Sequence, residues 1–198
     1  LLVSIINLSI FATRTGGRQT IMPLLGAQIG IPIAALGGIF TMMALVNMLL
    51  VVPASALADR YGRRWTIVPS GILVGLSLFW MAGATTYTAF FLAAFVHAVS
   101  SSISASAPVA YAVDIAPPGM RGITLGMFRS AGDVGVMAGP PILGLVADNG
   151  TFGQALIVNG VFMIVASLTF LLAREARTHR PAAASATTDP ADATPATR

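Results

Sequence analysis

Four charged side chains lie inside apolar stretches of this 198-residue chain: Arg14, Arg18, Arg129 and Asp133. A charge held away from water is costly, so each marks a functional position by default. Arg14 and Arg18 stand four apart in "ATRTGGRQT" and share one helix face. With Gln19 and small residues beside them, they predict a face turned to a water-filled cavity. There two guanidinium groups bind an anionic group or a neighbouring carboxylate through paired N–H donors. Arg129 and Asp133 are also four apart. The first expectation for them is a permanent structural pair near one end of their helix, where the arginine stem reaches back to the interface. The competing chemistry is proton uptake and release by Asp133, governed by the nearness of Arg129. His97, in "HAVSSSISASAP", is a second proton-site candidate. Among so many serines, a hydrogen-bonded interior role is its plainer expectation. Asn47, another polar group at depth, is expected to line the cavity.

The elements that must position these groups follow from composition. Hydrophobic residues make up 56% of the chain, charged residues 9%, and mean hydropathy is +0.83. That balance belongs to an integral membrane protein. Stretches of roughly 20 apolar residues bounded by turns or charge predict an all-α membrane fold of six transmembrane helices. The expected spans are about 1–25, 33–56, 66–84, 88–112, 122–147 and 152–173, one bundle covering residues 1–173. Residues 174–198 are Ala-, Thr- and Pro-rich with little to bury, and are expected to form a disordered tail.

All 11 basic residues are arginine, and cysteine is absent. Disulfides, thiol catalysis and zinc thiolate sites are thereby excluded, and no cofactor or metal is expected. The arginines are dispersed among apolar segments, which gives nucleic-acid binding no support. An intramembrane serine protease would need a nucleophile in a glycine-flanked turn, and the serines near His97 have no such context. No enzyme activity is expected.

Arginines set the orientation. Arg60, Arg63 and Arg64 fall between spans two and three, Arg121 between four and five, and Arg174, Arg177 and Arg180 after six, whereas the opposite loops carry none. By the positive-inside rule, loops 57–65 and 113–121 and the tail face the cytoplasm, in a multi-pass protein of the cell membrane. In "ALADRYGRRW" Gly62 permits a sharp turn, and Asp59 has the sign that a helix N-terminus favours. In "GMFRSAGDVGVMAGPPILG" Gly126, Gly135, Gly139 and Gly144, with Pro140 and Pro141, predict a bent span that a neighbouring helix approaches closely.

Two stretches carry a resemblance. Ser55 to Arg64, "SALADRYGRR", resembles the loop signature of the major facilitator superfamily, with Ser55 in place of its first glycine. Gly126, Gly135, Gly139-Pro140 and Gly144 are similar to that superfamily's antiporter signature, departing where Leu143 replaces a glycine. The R-x-x-Q-G motif usual on the fourth helix of the N-terminal half is absent, with His97 and Ser101 in its arginine and glycine places. The chain therefore resembles the C-terminal half of a twelve-helix major facilitator fold, entered partway along a helix. The antiporter signature is more typical of the other half and reads here as its repeat counterpart.

The resemblance implies alternating access between two six-helix bundles. It also implies a conformational latch in which Asp59 holds the start of the fifth span, around Arg121 to Thr124. Asp114 would pair with Arg60, Arg63 or Arg121, and Arg64 and Gly62 complete the loop. The expected function is proton-coupled efflux of small molecules by a secondary active transporter. A metabolite, sugar or anion uniporter or symporter, or a non-transporting structural membrane protein, are the alternatives. Expected partners are membrane lipids, a small-molecule substrate with protons, and an N-terminal six-helix half or a second copy.

Overall fold

The computed structural model describes residues 2–114, 116 and 119–172, and all their side chains except those of residues 2, 3, 59, 63, 64, 105–107, 110, 114 and 172. The side chains of Asp59, Arg63, Arg64 and Asp114, on which much of the expected latch rests, and the tail at 174–198 therefore lie outside the described residues.

Apart from short connections, the described residues are helical. Helix α1 (Leu2–Ala12) runs into a π-helical stretch (Thr13–Ile21) and then α2 (Met22–Gln28), after which come α3 (Ile33–Tyr61), α4 (Arg63–Ala82), α5 (Tyr87–Asp114), α6 (Arg121–Asp148) and α7 (Phe152–Thr169), closed by a 3-10 turn (Phe170–Leu172). Five of these are long and apolar enough to cross a membrane: Ile33–Ala58, Trp65–Ala82, Tyr87–Ser104, Arg121–Asp148 and Phe152–Thr169. The expected first span is the exception. It is helical from Leu2 to Gln28, but the π stretch divides it and loads its middle with Arg14, Arg18 and Gln19.

The connections are short and chemically explicit. Gly62 alone separates α3 from α4, at φ 91° and ψ 140°, a conformation that a side chain strains. We expect Gly62→Ala to cost about 1–3 kcal/mol, read as a lower melting temperature of the detergent-solubilised protein. At α7 the Thr151 hydroxyl accepts from the Gln154 amide at 3.1 Å while the Gln154 side chain accepts from the Thr151 amide at 3.1 Å, a reciprocal cap.

Small residues bring the helices together. A Cβ placed on Gly139 would lie 2.9 Å from the Ala12 backbone, and one on Gly135 would collide with the Leu8 carbonyl. Gly132, which the sequence pattern did not single out, meets Asn7 and Phe11 of α1. Gly126 and Gly144, by contrast, have open space around them. The four glycines of the motif thus do not form one seam. Nine residues are two and a half turns at 3.6 residues per turn, so Gly135 lies opposite both Gly126 and Gly144. One face of α6 packs on α1, and the other is left bare.

Two apolar clusters close the ends of the bundle. One gathers Ile21, Met22, Leu36, Ile39, Met43, Leu78, Phe90 and Leu156. The other gathers Ile6, Ala58, Ile67, Val68, Tyr111, Phe128 and Phe170, with Tyr111 and Phe170 edge to face at 5.1 Å. On α1 and the π stretch, Ile6 belongs to one cluster and Ile21 to the other; on α3 and α4 the same switch occurs between Met43 and Ala58 and between Val68 and Leu78, and from α7 to the closing 3-10 turn between Leu156 and Phe170. What lies between those residues is the polar middle of the bundle.

Candidate functional site

That middle contains a cavity of about 450 Å³, walled by Asn7, Phe11, Thr13, Arg14, Arg18, Asn47, His97, Ser101 and Ser104 among others. Both arginines come from the π stretch. Its wider winding is visible in bonds reaching five residues back, from the Thr20 hydroxyl to the Thr15 carbonyl at 2.8 Å and from the Met22 amide to the Gly17 carbonyl. Such π segments are enriched at functional sites. Here the segment also carries Gly16 against the Gly139 backbone and Gly17 against Asn159, so the chain crosses α6 and α7 at minimal distance. Arg18 is half-buried and Arg14 is exposed.

Helix α5 supplies the opposite wall. His97 is 2% exposed and its Nδ1 lies 3.0 Å from the Ser77 hydroxyl of α4. Ser100, Ser101 and Ser102 each donate to a carbonyl of their own helix, at 2.7, 3.1 and 2.7 Å. Ser102 also lies 2.9 Å from Asn47 Oδ1 on α3, whose amide nitrogen donates to the Met43 carbonyl at 2.7 Å. Ser104 differs: it is 1% exposed, lines the cavity, and its hydroxyl has no partner among the described residues. Behind the π stretch, Thr13 donates to Asn159 Oδ1 of α7 at 3.0 Å, and Asn7 donates to the Phe128 carbonyl of α6 at 2.7 Å.

Four of the sequence-derived cavity residues, Arg14, Arg18, Asn47 and His97, are brought together. Gln19 is exposed and is not among the lining residues. Arg129 and Asp133 are elsewhere, both exposed on α6, and among the described residues no ion pair joins them, contrary to the expected structural pair. The spacing permits the contact, but a helical i,i+4 ion pair yields only about 0.2–0.5 kcal/mol, too little to hold two side chains that nothing else confines. Asp133 follows Gly126 by seven residues, close to two turns, which puts it on the bare face of α6. In the loop region, Arg60 lies 5.7 Å from the Tyr61 ring centroid and Arg121 is exposed.

Asn7, Thr13, Ser104 and Asn159 were missed by sequence reasoning. Each is a polar residue within an apolar run, and that was the available signal. Among the described residues no group of His, Cys, Asp and Glu is placed to hold a metal ion, and none of the residues lining the cavity is acidic.

Comparison with known proteins adds a family. A family model described as Major Facilitator Superfamily matches residues 5–197. An uncharacterized MFS-type transporter of Methanocaldococcus jannaschii is 28% identical over 128 residues, covering 65% of this chain and 33% of that protein. Solute carrier family 2, facilitated glucose transporter member 12, is 30% identical over 129 residues in Homo sapiens, covering 58% of this chain and 21% of that protein. In Mus musculus it is 31% identical over 118 residues, covering 52% and 19%. The chain thus aligns with a fifth to a third of the length of these relatives.

Proposed function

The chain belongs to the major facilitator superfamily, which makes it part of a membrane transporter, and we propose that it forms one six-helix unit of a secondary transporter that moves a small anionic solute by alternating access. The observation that carries the solute class is the pair Arg14 and Arg18 on a cavity between two apolar plugs, with no acid among its lining residues. Two fixed positive charges in a low-dielectric setting favour an anion and repel a cation. The complementary unit, an N-terminal half or a second copy, covers the least buried helices. Only 17% of the apolar window of α3 and 22% of that of α6 are buried, against 56% for α4.

The test is counterflow in liposomes with the protein expressed from its complete natural reading frame. Gluconate, phosphate, glucose and tetraphenylphosphonium serve as probes. Exchange of an anion is expected; exchange of tetraphenylphosphonium without any anion overturns the reading. Glucose is the second reading, favoured by the uncharged Asn7, Asn47, Ser101 and Ser104 lining the same cavity and by relatives named as glucose transporters.

Proton coupling and export are the direction we assign, on the likeness of Gly126 to Gly144 to an antiporter signature and on Asp133. This carboxylate stands partway along α6, exposed and with no ion pair among the described residues. Asp133→Asn is expected to lower proton-driven flux at least about tenfold while leaving counterflow intact, because charge is removed and shape retained. Undiminished coupling excludes the role. At the turn formed by Gly62, Asp59, Arg60, Arg63, Arg64, Asp114 and Arg121 form the cytoplasmic latch of this proposal, worth no more than the few kcal/mol that separate two populated states.

A further inference from the structure

The hydrogen-bond arithmetic of the α4–α5 wall sharpens the solute class. The Ser77 hydroxyl lies 2.6 Å from the Val74 carbonyl and 3.0 Å from His97 Nδ1. A carbonyl only accepts, and Ser77 has one hydrogen, so both contacts are hydrogen bonds only if Ser77 donates to Val74 and His97 Nδ1–H donates to Ser77. In a neutral ring that arrangement leaves the lone pair on Nε2, which has no protein partner among the described residues, and His97 lines the cavity. Ser104 Oγ, two turns further along α5, is buried and has no partner among the described residues, as is also true of Asn159 Nδ2 on α7, which is not among the residues lining the cavity. A buried hydroxyl without a partner and a ring nitrogen on the same cavity call for an occupant that satisfies both.

A simple anion satisfies the arginines but offers nothing to an acceptor nitrogen. An O–H group can donate to His97 Nε2 and accept from Ser104. We propose that the cavity takes a hydroxylated anion of the size of a sugar acid, its anionic group on Arg14 and Arg18 and a hydroxyl between His97 and Ser104. The inference rests on the transport reading for its biological sense, but its binding chemistry stands alone. A cavity of about 450 Å³ has room for such a molecule with some water.

The test is equilibrium binding to the complete protein in detergent, with labelled gluconate as probe and hexanoate, sorbitol and phosphatidylglycerol as competitors. Gluconate is expected to bind at least tenfold more tightly than hexanoate, which lacks hydroxyls, and than sorbitol, which lacks the charge. Ser104→Ala removes one unbonded hydroxyl and is expected to shrink the gluconate-to-hexanoate ratio several-fold; His97→Phe is expected to do the same. Should His97→Phe fail to fold, Ser104→Ala decides the matter. No gluconate binding, equal affinity for hexanoate, or a ratio unchanged in Ser104→Ala overturns the proposal. Displacement of gluconate by phosphatidylglycerol at lower concentration than by gluconate itself makes a lipid headgroup the occupant and equally overturns it. Selective gluconate binding without counterflow would sink the transport reading alone, while counterflow of hexanoate and gluconate at equal rates would sink this inference alone.

Discussion

Glutamine at both position 14 and position 18 will lower affinity for an anionic solute by on the order of 100-fold or more, and will at the same time raise the melting temperature of the solute-free protein. The loss follows from the strength of charge-assisted hydrogen bonds, about 1.5–3 kcal/mol each, where about 1.4 kcal/mol is a factor of ten. Each single change should therefore cost roughly tenfold or more. The gain in stability has the opposite sign because the two guanidinium groups share one cavity wall, and among the described residues no carboxylate is paired with either. Binding sites commonly hold like charges together at a cost in stability that the ligand offsets. Equilibrium binding and thermal melting on the same preparation check both signs. A fall in melting temperature with unchanged affinity would make the pair structural.

Leucine at Gly139 will prevent the bundle from assembling. A Cβ there already comes within 2.9 Å of the Ala12 backbone, and one on Gly16 comes within 2.7 Å of the Gly139 carbonyl carbon. Backbone cannot yield as a side-chain tip can, so α6 must separate from α1 and from the π stretch together. Overpacking ordinarily costs about 1–3 kcal/mol, and more where the contact is backbone on backbone. In a membrane, where packing rather than water expulsion holds helices together, little remains to offset it. Size-exclusion profiles and yield after detergent extraction report the outcome. A matched pair supplies the contrast: Gly139→Ala is expected to destabilise more than Gly126→Ala, because only at Gly139 does the added Cβ meet backbone within this bundle.

Some of this was legible in single residues. The turn at Gly62 was, because a glycine among charges between two apolar runs is a local signal. The membrane setting needed only composition, and the family resemblance needed only two short stretches. The two faces of α6 were written in the glycine spacing as well, since nine residues reverse a helix face. Counting small residues along the span rather than around it concealed this, and left Gly132 out of the seam it belongs to. The winding of Thr13–Ile21 was not legible, because an α-helix and a π-helix place residues four apart on nearly one side.

By itself, then, the sequence determined a helical membrane protein of the major facilitator superfamily, its turns, and the presence of two arginines that must avoid lipid. These are properties of composition and of neighbours a few positions apart, which act before any helix meets another. Tertiary structure alone decided that Arg14 and Arg18 share a cavity with His97 and Ser104, that Thr13 bonds Asn159 across 146 positions, and that Arg129 and Asp133 are not among the residues lining that cavity. Which polar group finds a partner depends on how close the helices come, and that distance is set by glycines on two helices at once.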